Sequence, residues 1–137
     1  MGLIAPGALG KHVLVEYHGC DAATLDDRAR LREVLLEAVA RSGARIITDV
    51  FHQFSPQGVT GVVVIAESHV SIHTWPEHGY AAVDIFSCSD RMDTAVVVEG
   101  VRAGLGSASV QVRELARGQL DEKLPDVAPP RPPFAAL

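Results

Sequence analysis

Apolar and polar residues alternate with a period of two over Gly10–Tyr17, with Val13 and Val15 on one face and His12, Leu14 and Glu16 on the other. That pattern predicts a half-buried strand. The period then changes. From about Thr24 to Ser42, Leu31, Val34, Leu35, Ala38 and Val39 recur at helical spacing, with Asp21 or Thr24 to cap the start and Gly43 as a left-handed stop. One amphipathic helix is expected there. Two β-branched runs come next, Arg45–Phe54 and Gly58–Ala66, separated by Ser55-Pro56-Gln57-Gly58. The turn composition makes the two runs antiparallel neighbours, and the second, apolar almost throughout, should be central. A further β-branched stretch leads to a turn at Pro76-Glu77-His78-Gly79 and a strand over Tyr80–Cys88. Asp93–Leu105 carries Val97, Val98, Val101 and Leu105 at helical spacing and stops at Gly106, and Ser109–Leu115 closes the pattern as a strand.

The order is strand, helix, strand, strand, then strand, strand, helix, strand. It suggests two related halves, each laying a helix on one face of a mostly antiparallel sheet. The expected fold class is α+β, a two-layer sandwich. It forms a single domain over residues 1–118. Beyond it, Pro125, Pro129, Pro130, Pro132 and Pro133 predict a mobile tail over residues 119–137 without regular structure.

Composition narrows the function classes. A chain of 137 residues buries roughly 65–70% of the surface its unfolded form exposes, enough for one core without staples. With 47% hydrophobic and 21% charged residues and a net charge of −5, it offers no basic stripe for a nucleic acid backbone. Met1-Gly2-Leu3-Ile4-Ala5-Pro6 lacks the charged and apolar regions of a signal peptide, and Pro6 stands where a myristoylation signal needs Ser or Thr. The longest aliphatic run, Val62–Ala66, is far too short to span a bilayer. Cys20 and Cys88 are therefore read as thiols of a cytoplasmic protein rather than as a disulfide.

One stretch is unusually polar. Residues 66–77, AESHVSIHTWPE, hold two His, two Ser, two Glu and the only Trp. His69 and His73 would share a helix face as metal ligands, but Val70, Ile72, Thr74 and Pro76 argue against a helix. On a strand the two lie about 13 Å apart, too far to chelate one ion, so no metal site is expected. The residues alone leave a strand whose alternate positions face solvent, and Cys88 as a small hydrophobe at a strand end.

The whole stretch, however, resembles one family. Residues 67–77, ESHVSIHTWPE, and 79–88, GYAAVDIFSC, are similar to the signature of the prokaryotic S-adenosylmethionine decarboxylase proenzymes. The similarity extends upstream through 51–61, FHQFSPQGVTG, and more faintly to Gly10-Lys11-His12 and Arg117-Gly118.

The resemblance implies self-cleavage between Glu67 and Ser68. Ser68 Oγ attacks the Glu67 carbonyl, β-elimination of the ester leaves dehydroalanine, and hydrolysis gives a pyruvoyl group with loss of ammonia. Two chains result, 1–67 and 68–137. The pyruvoyl group would form a Schiff base with S-adenosylmethionine and accept the electrons released with carbon dioxide, with neither metal nor pyridoxal phosphate. The product would be the aminopropyl donor for spermidine synthesis. By the same resemblance His73 is the processing base, Thr60 assists processing where many relatives have Ser, and Cys88 is the proton donor of decarboxylation. Phe54 stacks on adenine and Glu77 accepts hydrogen bonds from the ribose hydroxyls. Ser89 comes after Cys88 where relatives usually have Gly. The resemblance also implies a homodimer with active sites near the subunit interface, the sheet edges being natural places to meet. Alternatives are a pyruvoyl-dependent ornithine or arginine decarboxylase on the same scaffold, and an uncleaved homologue acting as a binding or activating subunit.

Ser68 and His73 are an odd number of positions apart, so a straight strand points them to opposite faces. A sharp bend after Ser68 is expected; otherwise the two residues act from different subunits.

Overall fold

In a computed structural model, which describes residues 3–120, the chain forms one six-stranded sheet with helices on one side. The strands are β1 (Ala8–His18), β2 (Arg45–Gln53), β3 (Val59–Ala66), β4 (Ser68–Trp75), β5 (Tyr80–Ser87) and β6 (Ser109–Gln119). Their order across the sheet is β2-β3-β4-β5-β1-β6, and every neighbouring pair is antiparallel. Helices α1 (Ala22–Leu25), α2 (Arg28–Arg41) and α3 (Thr94–Leu105) complete the α+β two-layer sandwich that the residue pattern predicts.

Period-two alternation decides which side chains meet the helices. Val13, Val15, Val63, Val70, Ile72, Val83 and Ile85 are all buried, and they pack against Leu31, Leu35 and Val39 of α2 and Val97, Val101 and Leu105 of α3. Each fully buried aliphatic side chain contributes roughly 1.5–3 kcal/mol relative to exposure. Among the described residues no layer covers the opposite face of the sheet. Val64, an open-face residue of the almost wholly apolar β3, is therefore exposed even though the strand has a neighbour on both sides.

The single helix expected from Thr24 to Ser42 is two helices. Asp26 and Asp27 break it. Asp27 takes an extended N-cap conformation, its side chain accepting from Arg30 N–H at 3.0 Å, and Asp26 ends α1. Consecutive aspartates favour caps over helix interiors, an effect that the longer apolar period hides. β1 and β6 also run further than expected and pair with each other to Ala8 and Gln119. The Pro-rich segment expected as a tail over 119–137 lies, from residue 121 on, outside the described residues.

Gly100 and Gly104 weaken α3 by propensity, yet they are the reason it can lie against α2. A Cβ at Gly104 would collide with Val34 Cγ1, and one at Gly100 would sit 2.9 Å from Ala38 Cβ. Val34 is β-branched and cannot swing away. Gly104→Ala, which would stabilise an isolated helix, is thus expected to destabilise the protein by about 1–3 kcal/mol, read as a lower urea midpoint.

Candidate active site

β3 and β4 are joined by a tight hairpin with Glu67 at its exposed tip, and Ser68 opens β4. The Ser68 hydroxyl donates to the Glu67 carbonyl oxygen and accepts from the Cys88 backbone N–H at 3.0 Å. Pairing of His69 with Phe86 across β4 and β5 explains this: it delivers the residue after β5 to the first residue of β4. Glu67, Ser68 and Cys88 therefore form one group. They line a recess of about 240 Å³ with Gly43, Arg45, Arg91 and Met92. The loop beyond Cys88 is set by Ser87, whose buried hydroxyl donates to the Ser89 carbonyl at 2.8 Å, so Ser89 occupies a fixed turn.

A second group forms at the far end of the same strands. Thr60 on β3 pairs with His73 on β4, and the Thr60 hydroxyl lies 3.0 Å from His73 Nδ1. That contact orients the imidazole and leaves Nε2 for another task. Phe54, Trp75 and Glu77 join them around a recess of about 260 Å³. Phe54 is half-exposed, with its ring edge against His52 at 4.6 Å between centroids. Trp75 rests on Tyr80, with centroids 5.3 Å apart. Burial first, and then the hydrogen bond that Tyr80 gives to Glu16, push the Tyr80 phenol up to about 12, so it stays a neutral donor.

The bend expected after Ser68 does not occur. The chain turns before Ser68, and from Ser68 to His73 β4 keeps unbroken pairing with β3. At the ordinary rise per residue the two side chains are roughly 16 Å apart and on opposite faces. Within one chain, then, Ser68 and Cys88 meet, as do Thr60, His73, Phe54 and Glu77, but the two groups do not.

Between them, on the open face, lies a cluster that the sequence pattern did not single out. Asp84 Oδ2 is 2.8 Å from His12 Nε2 and 3.5 Å from His69 Nε2, and Asp84 also accepts from the Ser71 hydroxyl. Arg117 lies 2.8 Å from His12 Nδ1 and covers the Phe86 ring at 5.6 Å. His69 and Ser71 face this acid rather than solvent alone. A signal exists in the sequence: Asp84 is the one charged residue of β5, set among Ala81, Ala82, Val83, Ile85 and Phe86. Among the described residues no three His, Cys, Asp or Glu side chains are placed to hold a metal ion, and no helix is long and apolar enough to cross a membrane.

The two thiols differ sharply. Cys20 is buried, and burial pushes its pKa up, whereas Cys88 is exposed beside Ser68. Since the thiolate is the reactive form, N-ethylmaleimide should label Cys88 well before Cys20. Peptide mapping after brief exposure checks this; preferential labelling of Cys20 would contradict it.

A one-sided α+β sheet with a serine and a thiol at a hairpin tip, and a histidine, an aromatic and a carboxylate at the other end, defines a class of small chains with polar chemistry at both ends of the sheet. Comparison with known proteins makes the class specific. Residues 11–118 match the family described as S-adenosylmethionine decarboxylase. The S-adenosylmethionine decarboxylase proenzyme of Thermotoga maritima is 44% identical over 115 residues, 84% of this chain and 88% of that one. Its counterpart from Acidithiobacillus ferrooxidans is 42% identical over 114 residues, 83% of this chain and 86% of the other. The crystal structure of the adenosylmethionine decarboxylase from Aquifex aeolicus superposes with a TM-score of 0.76 at 35% identity, covering 87% of this chain and 98% of that one. The chain belongs to the S-adenosylmethionine decarboxylase family.

Proposed function

We propose that this protein is a self-processing S-adenosylmethionine decarboxylase whose active site is shared between two copies. The observation that carries the reading is the hydrogen bond between Cys88 and Ser68, at the peptide bond where a family member would cut itself. Ser68 fits the origin of a pyruvoyl group: it sits at an exposed hairpin tip, its hydroxyl beside the carbonyl it must attack. Attack by Oγ transfers the Glu67 acyl group from nitrogen to oxygen, and the hydroxyl proton passes to a base. His73 has the right chemistry, its ring oriented by Thr60, and Thr60 supplies the hydroxyl that assists.

His73 cannot serve Ser68 of its own chain across the length of β4, so it serves a partner's. The open face offers the means. Around the Asp84 cluster it exposes Val50, Val64, Trp75 and Leu115, large apolar side chains of the kind that interfaces cover. This face, rather than the sheet edges, is the natural place for two copies to meet. A two-fold axis running across the strands lays the Ser68 end of one copy beside the His73 end of the other.

When formed, the pyruvoyl group supplies the electron sink that lets the substrate carboxylate leave as carbon dioxide. The surrounding residues do the rest. Phe54 gives adenine an aromatic face that also favours the sulfonium cation, Glu77 accepts from the ribose hydroxyls, and Cys88 returns a proton to the substrate carbon. The two unpaired thiols suit a cytoplasmic enzyme.

Carbon dioxide release from S-adenosylmethionine, ornithine and arginine, assayed side by side, tests the substrate. Turnover of S-adenosylmethionine alone is expected; turnover of ornithine or arginine alone would contradict the reading.

A further inference from the structure

We infer that Asp26 is a positioning residue for substrate binding, because it holds in place the loop that presents Phe54; this rests on the reading of Phe54 as the adenine-stacking residue. In the loop between β2 and β3, residues 54–57 are exposed and only Gly58, at its end, is buried. Phe54 N–H donates to the Gly58 carbonyl at 2.8 Å and closes the loop. Gly58 has a φ of +102°, which glycine adopts without the clash a side chain would bring.

The anchor of the closed loop comes from elsewhere in the chain. One oxygen of Asp26, Oδ1, accepts from the Gly58 N–H at 2.9 Å and from Gln53 Nε2 at 2.8 Å. Gln53 Nε2 also reaches the Gly58 carbonyl, at 3.2 Å. Both ends of the loop thus hang on a single carboxylate oxygen at the junction of α1 and α2. A second tie fixes that junction to the recess. The buried Thr74 hydroxyl donates to the Leu25 carbonyl at 2.7 Å and accepts from Val59 N–H at 2.9 Å, and Thr74 lies between His73 and Trp75. The helix break at Asp26-Asp27 therefore has a use: Asp26 leaves the helix to serve the loop, and Asp27 caps α2.

Asp26 lines neither the Ser68 recess nor the Phe54 recess, so its loss should move binding and spare chemistry. In cleaved enzyme, Asp26→Ala is expected to raise KM for S-adenosylmethionine about tenfold with kcat within about twofold. Asp26→Asn retains an acceptor oxygen and should restore most of the affinity. The double variant Asp26→Ala/Phe54→Ala should have the KM of Phe54→Ala alone, since Asp26 acts through Phe54. Should Asp26→Ala fail to fold, Gln53→Ala must show the same split in smaller measure. An unchanged KM in Asp26→Ala, a fall confined to kcat, no rescue by Asn, or additive effects in the double variant would each overturn the inference. If instead Phe54→Ala leaves KM unchanged, it is the reading of Phe54 that fails.

Discussion

Ser68→Ala is expected to yield a single uncut chain with no decarboxylase activity. Alanine has no oxygen to receive the Glu67 acyl group, so the peptide bond persists and no ketone can form. Local structure should survive. Ser68 lies at a hairpin tip, and its hydroxyl satisfies only the Cys88 amide and the adjoining carbonyl. The urea midpoint should therefore stay close to that of the uncleaved parent chain, consistent with the small effects of changes outside the core. Cys88→Ala gives the contrasting result. Its side-chain sulfur has no part in the acyl shift, and the amide that contacts Ser68 belongs to the backbone, so cleavage should proceed. Decarboxylation should fall by about 10²–10⁴, the usual cost of losing a positioned proton donor. A denaturing gel and an activity assay on both variants separate the two roles; cleavage of Ser68→Ala would refute the first.

The second large effect is recovery of activity on mixing two dead variants. Ser68→Ala retains His73, and His73→Ala retains Ser68. If the two residues serve one site from different copies, a mixed dimer contains one complete site and one doubly defective site. Co-expression in equal amounts should then give about a quarter of the parental activity, since half of the dimers are mixed and half of their sites work. Only the His73→Ala chain should be cleaved. The unbroken β4 between Ser68 and His73 makes the expectation firm, because no rotation of either side chain spans roughly 16 Å. Absence of both cleavage and activity in purified mixed dimers would contradict the shared site.

The inner strands β1, β3, β4 and β5 are legible in the sequence because each buries one face only. Alternation such as Val13 and Val15 against His12 and Leu14 states both the element and the side that meets the helices. The helix pair reads as one helix because the apolar period of Leu31, Val34 and Leu35 describes packing, whereas the break at Asp26-Asp27 is set by capping, a local effect that spacing does not register. Ser68, Cys88 and His73 stand out only through resemblance, since none emerges from periodicity. Their separation is half visible: odd spacing foretells opposite faces, but whether the chain bends is decided by continuous hydrogen bonding to β3. Asp84 escapes a reading by pattern, although a lone acid inside an apolar strand calls for partners, and it finds them in Ser71 and His12.

Intact mass of the active wild-type preparation decides whether the chain cuts itself at Glu67-Ser68. Self-cleavage gives two chains, residues 1–67 and a second fragment lighter by one ammonia than the unmodified peptide of residues 68–137, with no free amine at its start. A single uncut chain in an active preparation, or a fragment beginning with an unaltered Ser68, would contradict it.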